Sequence, residues 1–87
     1  MSAKVTCTVH KVLHEVQLGD GTKLQYRVVS WNSGRPRFEV AHPYLNQDGK
    51  QRCRLQKGLD WEVLMWLQRE GLEQAIDTIA EVAEKRG

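Results

Sequence analysis

Thr22-Lys23-Leu24-Gln25-Tyr26-Arg27-Val28-Val29-Ser30-Trp31, then Asn32-Ser33-Gly34-Arg35-Pro36, then Arg37-Phe38-Glu39-Val40-Ala41-His42 is the stretch that decides the fold. Leu24, Tyr26 and Val28 share one parity, as do Phe38 and Val40 beyond the turn, which is the period-two pattern of strands with one buried face. Asn32-Ser33-Gly34 supplies residues that accept turn geometry. Pro36 stands where the second strand begins, the place where a missing N–H does least harm, and Pro43 is expected to end that strand. The stretch therefore reads as two strands joined by a turn.

Working outward, Val5, Cys7 and Val9 alternate with Thr6, Thr8 and His10, whereas Val12, Val16 and Leu18 fall on the other parity. One extra residue swaps the faces of a strand, so a bulge near Lys11 is expected. Gly19-Asp20-Gly21 closes that strand onto the next. Downstream, Asn46-Gln47-Asp48-Gly49 is a further turn, and a fourth strand from about Lys50 to Gln56 puts Cys53 and Leu55 on one face, with Lys50, Arg52, Arg54 and Gln56 on the other. Gly58 ends the strands and Asp60 is a good helix N-cap. Val63, Leu64, Trp66 and Leu67 form the apolar stripe of a helix starting at Trp61; Gly71 marks a stop or kink, and Leu72, Ile76, Ile79 and Ala83 resume at helical spacing. The expected class is α+β: a four-stranded antiparallel sheet over about residues 4–56, then a C-terminal helix over about 60–86 that kinks near Gly71, all in a single domain, 1–87.

With 87 residues and a net charge of +2, the chain has room for one small core. Chains of this size bury only about 60–65% of their unfolded surface. Cys7 and Cys53 are isolated thiols with no metal-ligand or redox spacing, so no disulfide framework adds stability. A second copy of the chain is the natural source of extra core, and a homodimer is expected through Val63, Trp66, Leu67, Leu72 and Ile76. Neither a leader-like nor a membrane-spanning apolar run occurs, which gives a cytoplasmic address by default, at the nucleoid if the ligand is DNA.

Catalytic chemistry finds no support. No Ser/His/Asp arrangement, paired-carboxylate cleft or Gly-rich phosphate loop is visible, so neither an enzyme, a cofactor nor a small-molecule substrate is expected. His10 and His14 lie four apart, but nothing near them completes a tetrahedral metal set. Charge distribution says more. Acidic residues gather in the helical part, whereas the segment from Arg27 to Lys57 carries Arg27, Arg35, Arg37, Lys50, Arg52, Arg54 and Lys57 against Glu39 and Asp48. Alternate residues on a strand lie about 6.6–6.8 Å apart on one face, a spacing suited to tracking phosphates; a solvated or charge-blunted edge is the plainer reading of Lys50, Arg52 and Arg54. Trp31 and Tyr44 lie close in sequence to these cations, and single-strand binders pair basic grooves with aromatic stacking platforms. Trp31, ending its strand before the turn, is expected to project from a hairpin tip.

Tyr26-Arg27-Val28-Val29-Ser30-Trp31-Asn32, Arg37-Phe38-Glu39-Val40, Gln47-Asp48-Gly49 and Lys57-Gly58-Leu59, in that order and spacing, resemble the transcriptional coactivator family known as positive cofactor four, particularly its small bacterial members. The resemblance covers about Leu24 to Leu67. It implies a dimeric four-stranded sheet with a helix that binds single-stranded DNA with little sequence preference, in transcription or DNA maintenance. Carried over position by position, it makes Trp31 a base-stacking aromatic, Arg35 and Arg37 the basic residues that follow it, Tyr44 a second aromatic, and Lys57-Gly58 the step into the helix. Ala41 stands where the family has an arginine. The candidate nucleic-acid contacts are thus Arg27, Trp31, Arg35, Arg37, Tyr44, Lys50, Arg52, Arg54, Lys57 and Gly58, with single-stranded DNA or RNA as the partner. The competing expectation is a small dimeric protein-interaction or assembly module whose basic face keeps it dissolved.

Overall fold

The computed structural model describes residues 6–86. Four antiparallel strands, β1 (Cys7–Gln17), β2 (Lys23–Trp31), β3 (Arg37–Leu45) and β4 (Gln51–Leu55), lie in sequence order in one sheet. Helices α1 (Trp61–Trp66) and α2 (Leu72–Arg86) follow, joined by a π-helical turn, Leu67–Gly71. The α+β architecture is the one expected from the alternation. Val5, assigned to the first strand, lies outside the described residues.

The turns form where the small polar residues stand. Asp20 Oδ1 accepts from the Thr22 N–H at 3.0 Å, and Asn46 Oδ1 accepts from the N–H groups of Asp48 and Lys50, both at 2.9 Å. Asn32 and Ser33 both take positive φ, 51° and 61°, and the Gly34 N–H returns to the Trp31 carbonyl at 2.8 Å. That is a primed turn, after which Arg35 and Pro36 lead into β3.

Two expectations need correcting. The first strand carries two irregularities, between Val9 and Lys11 and between Val12 and His14. The second restores the parity that the first reverses. Thr8, Lys11, His14 and Val16 therefore share a face, and Val12 lies opposite Arg27 on the other face rather than alongside Val16. Pro43 does not end β3, which runs on to Leu45. The Gln56 N–H donates to the Val40 carbonyl, so even-numbered residues of β3 direct their backbone groups towards β4 and odd-numbered ones towards β2. The β2–β3 ladder stops at Gln25↔Ala41, so Pro43 has no ladder bond to lose.

Register also assigns the faces. On the inner face, Tyr26 opposes Val40 and Val28 opposes Phe38. Tyr26, Val40 and Val63 form the buried cluster, with Val16, Leu24, Phe38, Trp66 and Leu67 packed around it. The Trp66 indole lies near-parallel to the rings of His14 and Phe38, at 5.1 and 6.4 Å, and edge-on to Tyr26 at 5.1 Å. Such pairs contribute about 0.5–1.5 kcal/mol each beyond area burial. Helix α1 is started by Asp60, whose Oδ1 accepts from the Val63 N–H at 3.1 Å.

Gly71 is where the helix departs from α geometry, through a π turn in which the Leu72 N–H reaches the Leu67 carbonyl. An α-helix turns about 100° per residue, so one extra residue in a turn rotates everything after it. Gly71, Ala75 and Thr78 are buried beneath α2, whereas Leu72 and Ile76 are 52% and 56% exposed. The interface expected from sequence therefore divides. Val63, Trp66 and Leu67 belong to the chain's own core; Leu72 and Ile76 stay outside, in line with exposed Trp61 and Leu64.

Candidate nucleic-acid interface

The outer face, which carries no helix, holds Arg27, Val29 and Trp31 from β2, Arg37, Glu39 and Ala41 from β3, and Cys53 and Leu55 from β4. Trp31 does not project from the hairpin tip. It is the last residue of β2, half-buried, and its indole N–H donates to Glu39 Oε1 at 2.7 Å. The same oxygen lies 3.4 Å from Arg37 Nε. Glu39 is mostly buried, and its other oxygen is buried without a partner. A charge-assisted bond to a sheltered carboxylate is among the stronger hydrogen bonds, so Glu39 ties the indole back onto the sheet and holds the Arg37 guanidinium beside it.

An open groove of about 740 Å³ runs beside this pair, lined by Trp31, Arg37, Glu39, Leu55, Lys57 and Leu59 and by Phe38 and Val40, whose side chains pack on the inner face. It exists because β4 is short. The last ladder pair between β3 and β4 is Ala41↔Leu55, and the chain swings away at Gly58, whose φ of 77° is a conformation that favours glycine. A second hollow of about 460 Å³ is lined by Trp31, Gly34, Arg35, Pro36 and Arg37. Trp31 and Arg37 thus border both depressions, with exposed Arg35 lining one and exposed Lys57 the other.

The remaining candidates lie elsewhere. Arg27 is only 8% exposed; its Nη2 donates to Cys53 Sγ at 3.4 Å, and its Nε is buried without a partner. It lies within the sheet face rather than on a rim. Tyr44, Arg52 and Arg54 belong to the inner face, because Tyr44 opposes Arg52 and His42 opposes Arg54 in register with Val40. The Arg54 guanidinium sits 5.2 Å from the Tyr44 ring centroid, a cation–π distance. Lys50 is exposed in the turn before β4. The basic stripe and the Trp31 group are consequently on opposite faces of the sheet, which the sequence alone did not separate.

His10 and His14 do not converge either. His10 Nε2 shares a 2.8 Å hydrogen bond with Ser30 Oγ, and His14 stacks on Trp66. Among the described residues no cluster of three or more His, Cys, Asp or Glu could hold a metal ion. No helix among them is long and apolar enough to cross a membrane.

The chain matches no family model, no curated protein and no solved structure. The functional reading therefore stands on the residues themselves. The sequence reading missed two elements of the site. The sequence offers Glu39 as an opposing charge and as part of the Arg37–Val40 strand motif but not as the anchor of the indole, although its position two residues after Arg37 on one strand face is a readable signal. The groove itself depends on where β4 stops, and no residue type announces that.

Proposed function

We propose that this chain binds single-stranded nucleic acid, in the first instance single-stranded DNA, with little sequence preference and as a homodimer. The observation that carries the reading is the Trp31 indole fixed by Glu39, on a residue that borders two depressions lined by Arg35, Arg37 and Lys57. An unpaired strand offers what such a surface takes: bases with π-faces for the indole and phosphates for the cations. A duplex offers no exposed base faces. On the inner face, Tyr44 with Arg52 and Arg54 forms a second aromatic–cation group, which a strand passing over the short β4 edge would meet next.

The homodimer is supported by exposed Trp61, Leu64, Leu72 and Ile76 on the outward side of the helices. Apolar surface in such a row marks an association site, and a two-fold axis would bury it against itself. An assembly module would use the same row, so the experiment must read nucleic acid directly. Fluorescence polarisation with labelled oligothymidine, at two salt concentrations, is expected to show binding that weakens with salt. Each lost phosphate contact should lower the slope by about 0.7 for a single strand. An Arg37→Ala/Lys57→Ala variant that keeps both affinity and slope would refute the placement, and absence of binding by the parent would refute the function.

A further inference from the structure

The groove beside Trp31 has a floor made of backbone. In an antiparallel ladder the N–H and C=O of one residue point to the same side, and the side alternates along the strand. The Gln56 N–H donates to the Val40 carbonyl at 3.0 Å, so Val40 faces the β4 side, and so does Phe38, two residues earlier. Beyond this bond the chain has left the sheet, because Gly58 turns it away. The Phe38 N–H, the Phe38 C=O and the Val40 N–H therefore open into the groove, and no backbone or side-chain group of the described residues closes on them. The Phe38 side chain points to the other face, into the ring cluster beneath Trp66.

We infer that this open edge of β3 is a slot for one unpaired nucleobase, read along its edge by the Phe38 carbonyl and the Val40 N–H and covered by Trp31. The inference rests on the nucleic-acid reading above and adds a ligand group to it. Three observations converge. Leu55, Leu59 and the Trp31 indole give apolar and aromatic walls, and the floor alternates acceptor and donor, the combination by which extruded bases are held in other proteins. Arg37 and Lys57 stand at the rim, where the phosphates flanking a seated base would lie. A peptide strand fits less well. Only the Arg37–Val40 portion of β3 lies beyond the β4 ladder, too short a run for strand addition, and the rim is cationic.

Such a slot does not select a sequence. Thymine has an N3–H beside carbonyl oxygens, adenine an amino group beside N1, cytosine an amino group beside N3, and guanine an N1–H beside O6. Each base presents a donor next to an acceptor, so each can meet a C=O followed by an N–H. What the slot demands is that the base be unpaired, since pairing consumes that edge. The backbone would then discriminate single strand from duplex, independently of the cations.

The test compares oligothymidine with the same oligomer built from N3-methylthymidine. The methylated oligomer keeps the phosphates and the stacking face but lacks the N3–H donor. Affinity is expected to fall about five- to tenfold, because a donor is lost and the Phe38 carbonyl is left covered without a partner, with the salt slope unchanged. In amide NMR spectra, oligothymidine should shift the Phe38 and Val40 N–H signals and the methylated oligomer should shift Val40 less. Equal binding of the two oligomers, with those signals unmoved, overturns the slot alone. No binding of either overturns it together with the nucleic-acid reading. Movement of the Phe38 and Val40 signals on raising protein concentration without oligomer assigns the edge to a second copy of the chain and also overturns the slot.

Discussion

Replacing Gly71 with alanine should destabilise this protein, against the usual rule for helices. In a helix interior the exchange is ordinarily favourable by about 1 kcal/mol. Here a Cβ on Gly71 would fall 2.0, 2.1 and 2.5 Å from Cζ3, Cη2 and Cε3 of Trp66, whereas carbon atoms rest at about 3.5–4.0 Å. The indole has little room to yield, since it lies between His14 and Phe38 and over Tyr26. If it shifts while staying in the core, overpacking costs about 1–3 kcal/mol; if it is expelled, the loss approaches the roughly 3–5 kcal/mol of a large-to-small tryptophan substitution. After the propensity gain is subtracted, a net loss of up to about 4 kcal/mol remains, and each kcal/mol lowers Tm by about 4–8 °C in a domain of this size. Thermal melting followed by circular dichroism, at one fixed protein concentration, reads this directly. Trp66→Leu removes the ring, and in that background Gly71→Ala should be neutral or stabilising, so the double-mutant cycle isolates the contact. A Gly71→Ala protein that melts at or above the parent would refute the packing argument.

Three further outcomes follow from the geometry. Glu39→Ala should weaken oligothymidine binding several-fold even though it removes negative charge from a site for a polyanion, because the Trp31 indole loses its anchor; Glu39→Gln keeps an acceptor and should bind at least as well as the parent, and the opposite ranking by polarisation would remove Glu39 from the site. Burial, with Asp60 and Glu62 nearby, raises the Tyr26 phenol above its ordinary value of 10.0, so the folded state keeps the proton when the unfolded state has lost it, and stability should fall as pH rises above about 10; melting curves of Tyr26→Phe should lack that part of the alkaline loss, and an unchanged profile would refute the assignment. Leu72→Asp/Ile76→Asp should shift the proposed homodimer to monomer by light scattering while retaining the fold, because both side chains are about half exposed on the single chain; an unchanged mass would refute an interface at these residues.

Strand order, the three turns and the helix start were legible because each rests on local chemistry. Asp20 and Asn46 bond to their own backbone neighbourhood, the Asn32-Ser33 pair takes the positive φ its turn requires, and Asp60 caps the Val63 N–H, so the residues that signal these features also make them. The inner-face set Leu24, Tyr26, Phe38 and Val40 followed from period two alone. The second irregularity of β1 was not legible, since Leu13 is as apolar as Val12 before it and only pairing with β2 shows it to be extra. The continuation of β3 through Pro43 depended on where the β2–β3 ladder stops, and the burial of Val63, Trp66 and Leu67 depended on how much sheet surface was there to cover. For the candidate site, the sequence determined which residues are basic or aromatic and that they cluster between Arg27 and Lys57. Tertiary structure alone decided that Trp31 with Arg35, Arg37 and Lys57 stands apart from Tyr44 with Arg52 and Arg54, which lie on the other face of the sheet, and that Arg27 lies within the sheet face. The physical reason is that residue type sets what a side chain can bind, whereas strand register and strand length set what it stands beside, and both are settled by pairing between segments distant in the chain.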